Sequence, residues 1–85
     1  MFKKIITHNW IMSQENILLN RKILANNLIE LRLKSKVKRE ELSLALGFDN
    51  SYISKIEKCK INITLDRLSI IANYFNVSIK DLFKE

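Results

Sequence analysis

Residues 39–58 read REELSLALGFDNSYISKIEK, from Arg39 to Lys58, and their spacing decides the fold. Leu42 and Leu46 stand four apart, so a short helix over Arg39 to Leu46 places both on one face. Gly47 follows at once, where a helix exit calls for the left-handed backbone that glycine adopts without a Cβ penalty. Asp49 can accept from the first free amides of a next turn, and it opens a segment from Asn50 to Lys58 whose Ile53 and Ile56 face inward. The small Ser43 falls where two helices joined this tightly must cross closely.

Downstream, Thr64 caps a helix expected over Leu65 to Tyr74, with Leu65, Leu68, Ile71 and Ala72 apolar and Asp66, Arg67 and Asn73 exposed. Ser78 with Asp81 three residues on forms a capping box for a last turn or two that carries Leu82 and Phe83 inward. Upstream, Ser13 can cap a helix whose Ile17, Leu24, Leu28 and Leu31 share a stripe, with a break at Lys34 to Lys38. The asparagines at 16, 20, 26 and 27 lower helix propensity and draw the expected start toward Asn20. Residues 1–12 combine Lys3, Lys4 and His8 with Phe2, Ile5, Ile6, Trp10 and Ile11 in no clear period. They read as an irregular, dispensable arm without the apolar core of a signal peptide, followed by a domain over residues 13–85.

Composition supports this reading. The chain has 85 residues, no proline and one glycine. Its aliphatics recur at three and four rather than two, which predicts an all-α fold of five helices. Fifteen Lys and Arg against nine Asp and Glu leave a net charge of +6, with a pI near 9.7. That excess favours an acidic partner such as nucleic acid. The lone Cys59 cannot form an internal disulfide, and with one histidine it cannot complete a four-ligand zinc site, so a reducing, cytoplasmic setting without metal or cofactor is expected. No apolar run approaches the roughly 18 to 20 residues of a membrane span. So small a domain is marginally stable alone, which makes a second copy or DNA an expected contributor to stability.

A short helix, a glycine turn and a second short helix opening on small polar residues form the helix-turn-helix layout, whose second helix enters the DNA major groove. The segments Leu28-Ile29-Glu30-Leu31-Arg32, Arg39-Glu40-Glu41-Leu42, Leu46-Gly47-Phe48, Tyr52 to Lys58, and Ile71-Ala72 through Val77-Ser78 to Leu82 share one register. Through them the chain resembles the phage repressor and Cro family of helix-turn-helix regulators over about Leu24 to Phe83. Asp49 to Ser54 with Asn62-Ile63-Thr64 look most like the controller proteins of restriction-modification systems. The resemblance implies a compact five-helix, lambda-repressor-like domain. Three positions depart from the family pattern: Arg39 replaces a glutamine, Ser43 an alanine, and Cys59 a glycine, so Cys59 either ends its helix without a left-handed residue or carries strain of about 1 kcal/mol.

The expected base readers are Asn50, Ser51, Tyr52 and Lys55, since asparagine can pair adenine bidentately and lysine can reach guanine acceptors. Lys38, Arg39, Lys58, Lys60 and Asn62 flank them as expected phosphate contacts, which fix register without reading sequence. Lys34 and Lys36 extend that basic footprint. The resemblance implies that Arg32 and Glu57 pair as a partly buried, structural ion pair. Tyr74, Phe75, Leu82 and Phe83 exceed what one face of so small a domain can hide and form the candidate dimer surface.

The expected function is a sequence-specific transcriptional regulator, homodimeric on a two-fold symmetric operator in double-stranded DNA, with no small-molecule ligand and no membrane association. A phage-type repressor, an antitoxin, or a protein-interaction module on the same scaffold are the competing readings. An enzyme is the weakest, because no metal set, nucleophile with base or phosphate loop is visible.

Overall fold

The computed structural model describes the backbone of residues 6–85 and the side chains of residues 14–85. Over that span the chain is all-α, with five helices: α1 (Ile6–Lys34), α2 (Arg39–Ala45), α3 (Tyr52–Glu57), α4 (Leu65–Tyr74) and α5 (Ile79–Leu82). The first five residues lie outside the described residues, and with them that part of the expected arm. Residues 6–12, expected to be irregular, are helical, and Ser13 lies inside α1 instead of capping it. With no proline or glycine between Ile6 and Lys34, nothing stops the helix, and each asparagine costs only about 0.7 kcal/mol or less.

The core gathers on the C-terminal half of α1. Leu28, Leu42, Ile53, Ile71 and Leu82 are wholly buried, one from each helix, and Leu24, Val37, Ile56, Leu68 and Ala72 close around them. Burial of each large aliphatic contributes about 1.5–3 kcal/mol. The stripe read on α1 holds only from Leu24 onward, because α3 and α5 are the elements packed against that half. Ile17 is 51% exposed, and Leu65, in the first turn of α4, also points to solvent.

Helices α1 to α4 end in the same way. Lys36, Gly47, Cys59 and Asn76 each take a positive φ, between 57° and 79°. One residue later, Val37, Phe48, Lys60 and Val77 donate their amides back to the carbonyls of Arg32, Ser43, Lys55 and Ala72. Each is a six-to-one closure of the Schellman type, which satisfies orphan carbonyls and turns the chain sharply toward the next helix. The sequence singled out Gly47 and Cys59. Lys36 and Asn76 are additional, and Asn76 is a residue type that tolerates this backbone.

The starts are mostly as read. Thr64 Oγ1 accepts from the Arg67 amide at 3.1 Å. Ser78 and Asp81 form the reciprocal box, with Ser78 N to Asp81 Oδ2 at 3.0 Å and Asp81 N to Ser78 Oγ at 3.3 Å. The start of α3 differs. It begins at Tyr52 with Ser51 at the cap, and Asp49 supplies only its backbone oxygen, to the Tyr52 amide at 3.0 Å.

Candidate nucleic-acid interface

The amide that Asp49 does not cap is reached from another helix. Ser43, fully buried on α2, accepts from the Ile53 amide at 3.0 Å and donates to the Arg39 carbonyl at 2.9 Å. One hydroxyl thus caps α3 while bonding back to its own helix, so the angle between α2 and α3 is fixed by a hydrogen bond as well as by close packing. The sequence signalled only a small residue here.

The far end of α3 is held by charge. Glu57, whose side chain is 2% exposed, receives Arg32 Nε at 2.8 Å on Oε2 and Arg39 Nε at 2.7 Å on Oε1. Arg32 also donates through Nη2 to Glu57 at 3.3 Å and through Nη1 to the Val37 carbonyl at 3.0 Å. One carboxylate therefore ties the end of α1 and the start of α2 to α3. Arg39, read from the sequence as a phosphate contact, is committed through Nε to Glu57, while its side chain stays 54% exposed. Its guanidinium is oriented by the carboxylate it bonds.

Between these anchors α3 turns Ile53 and Ile56 inward. Ser51, Lys55 and Lys58 follow at four and seven, on one helical face. Asn50 and Lys55 are exposed and Ser51 is half-buried. Asn50 Nδ2 donates to Glu40 Oε2 at 3.4 Å. Lys38, Lys58, Lys60 and Asn62 are exposed, and Asn62 lines a groove that Ile17 and Arg21 of α1 also line. Asn50, Ser51, Lys55 and Lys58 thus give α3 a short polar and basic edge, the kind of side chains that direct base readout uses.

Tyr52 is placed differently from its expected role. It is 9% exposed, its ring sits 4.7 Å from that of Phe48, and the Arg67 guanidinium stacks over both, 4.8 Å from Tyr52 and 5.1 Å from Phe48. Tyr52 stands four residues before Ile56 and so shares its inward face. This Arg67 clamp from α4 was not legible, because no local pattern links residues fifteen apart in sequence. Of the candidate dimer surface, Leu82 is wholly buried and belongs to the core. Tyr74 is 45% exposed, Phe75 and Phe83 are half-buried, and Tyr74 meets Phe75 edge-on at 4.9 Å.

Among the described residues, no three His, Cys, Asp or Glu side chains are grouped to hold a metal ion, and no helix is long and apolar enough to cross a membrane.

Comparison with known proteins agrees with this geometry. A helix-turn-helix family model matches residues 28–82. Among solved structures, a hypothetical transcription factor, NHTF, from Neisseria is 29% identical with a TM-score of 0.73, over 76% of this chain and 75% of that one. The restriction-modification controller protein C.AhdI from Aeromonas hydrophila is 25% identical with a TM-score of 0.70, over 76% of this chain and 98% of that one. No curated protein matches. A family match spanning more than half the chain, on the very residues that build the two crossed helices, shows that this protein belongs to the helix-turn-helix family of DNA-binding transcriptional regulators.

Proposed function

We propose that this regulator binds as a homodimer to a two-fold symmetric operator, reading bases with Asn50, Ser51 and Lys55 and holding the phosphates with Lys38, Arg39, Lys58, Lys60 and Asn62. The observation that carries the reading is the double anchoring of α3: Ser43 caps its start and Glu57 pins its end. A helix held at both ends presents its polar edge at a fixed angle, as sequence readout needs and charge attraction alone does not. Tyr52 supports that edge from beneath. Paired copies would present two such helices about one turn of DNA, near 34 Å, apart. Tyr74, Phe75 and Phe83 are the surface offered for that pairing. Control is by occupancy, blocking or recruiting polymerase. The likeness to C.AhdI supports a restriction-modification controller over a phage-type repressor or an antitoxin.

The test is binding to the duplex upstream of the protein's own gene against a shuffled duplex of equal length, across a salt series, with Asn50→Ala beside the wild type. A preference of about a thousandfold, diminished in Asn50→Ala, supports specific readout. Equal affinities that fall steeply with salt would leave only a basic surface.

A further inference from the structure

The part of α1 before residue 28 lies outside the family match. At 1.5 Å per residue the 29-residue helix is about 43 Å long, nearly the whole 46 Å length of a molecule only 22 Å and 20 Å across. Every side chain from Gln14 to Asn20 is exposed, including Ile17, Leu18 and Leu19 at 50–51%. Three adjacent exposed aliphatics create a standing demand for cover. At its base a groove of about 470 Å³, lined by Ile17, Arg21, Leu24, Ile61, Ile63 and Phe83, continues the core face of α1 into the open.

The residues around Leu18 say what covers this face. From Glu15 to Arg21 they run acid, Asn16, Ile17, Leu18, Leu19, Asn20, base, the same in character from either end but with charge reversed. Two such helices laid antiparallel across an axis at Leu18 set Leu18 against Leu18, with Glu15, Arg21 and Lys22 on the same face and Ile17 and Leu19 flanking the seam. Glu15 then lies level with Arg21, and within a residue's rise of Lys22, of the other copy. A parallel pair would instead set Glu15 against Glu15 and Arg21 against Arg21. Among the described residues, Glu15, Arg21 and Lys22 form no ion pair within one chain. We propose that α1 from Glu15 to Lys22 is a self-association segment that pairs antiparallel with the same segment of a second copy, on a two-fold axis at Leu18. Tyr74 and Phe75 are not part of this segment, whereas Phe83 lines the groove at its base, so pairing through Tyr74 and Phe75 as well would join four chains, or two operator-bound pairs.

The test uses the full chain without DNA, so its outcome does not depend on the DNA-binding reading. In a Cys59→Ser background, Leu18→Cys should oxidise to a covalent dimer in high yield, since residues facing each other on such an axis fall within disulfide reach, whereas Glu30→Cys, exposed elsewhere on α1, should not. Glu15→Lys should weaken self-association at least tenfold by sedimentation equilibrium, and Glu15→Lys/Arg21→Glu/Lys22→Glu should restore it, with helix content by circular dichroism unchanged throughout. Cross-linking no better at Leu18→Cys than at Glu30→Cys, or an association constant indifferent to the charge exchange, as cover by another protein or by solvent would give, overturns the proposal.

Discussion

Arg32 Nε lies 2.8 Å from Glu57 Oε2, with the two side chains only 9% and 2% exposed. An ion pair this enclosed contributes little beyond what well-packed apolar residues would, yet it is costly to break from one side, because the survivor keeps its desolvation without its partner. Glu57→Ala should therefore destabilise by about 3–5 kcal/mol in urea unfolding. Arg32→Met/Glu57→Met should cost less than the single change. A Glu57→Ala cost within experimental error of zero would mean that water reaches Arg32 freely.

Ser43 gives a second, independent handle on the α2–α3 crossing. Removing its hydroxyl in Ser43→Ala leaves the buried Ile53 amide without an acceptor, at an expected cost of about 1–3 kcal/mol. The same change should speed hydrogen exchange at the Ile53 amide more than at Ile56. Unchanged exchange at Ile53 would show that the amide finds another acceptor.

How far these features were legible divides along physical lines. The glycine turn, the inward Leu42, Ile53 and Ile56, the Thr64 cap and the Ser78–Asp81 box were all readable, because each is set by neighbours within four residues. The Ser43 cap on Ile53 spans ten residues and depends on the crossing angle, so the sequence showed only that a small side chain fits there. Tyr52, expected as a base reader, stands four residues before the inward Ile56 and shares its buried face, a spacing the sequence carries, and Phe48 and Arg67 enclose it there. Ile17 went the other way, since the apolar stripe of α1 outlasts the domain that buries it. Leu82 reads as apolar at the surface or in the core alike, and only the packing of α5 on α1 decides between them.

Cys59 holds a φ of +59° at the exit of α3, a position where Gly47 serves α2 at +79°. A left-handed L-residue carries about 1–2 kcal/mol of strain, and glycine gives back part of that relief as lost chain entropy. Cys59→Gly should therefore stabilise by about 0.5–1 kcal/mol in thermal or urea unfolding. Gly47→Ala should destabilise by about 1 kcal/mol from backbone strain alone, since a Cβ there meets nothing within 4 Å. Equal stabilities for Cys59 and its glycine variant would show that the exit relaxes to accommodate the side chain.

The amide and then the hydroxyl of Ser78 hold the Asp81 carboxyl below its usual value of 3.8, with Lys84 adding to the effect. A carboxylate whose pKa is lower in the folded state stabilises the fold above the unfolded value, and that contribution is lost as pH falls through the folded one. Asp81→Asn should thus be less stable than wild type at neutral pH, with the gap closing as pH drops below about 4. A gap that stays constant from pH 7 to pH 2 would assign the capping effect to hydrogen bonding without charge.

Lys58 and Lys60 flank the left-handed exit of α3, exposed and beside the edge that carries Lys55. If both rest on phosphates, each should add about 0.9 to the slope of log affinity against log salt. Lys58→Ala/Lys60→Ala should then flatten that slope by about 2 and weaken operator and shuffled duplex alike, leaving their ratio nearly unchanged. Lys55→Ala should behave in the opposite sense. A lysine that reaches base edges discriminates by about 1–3 kcal/mol, so its loss should narrow the ratio between duplexes roughly 5- to 150-fold with a smaller change in slope. A salt slope unaffected in the double variant would remove this pair from the interface and shift the phosphate contacts to Lys38 and Arg39, at the start of α2.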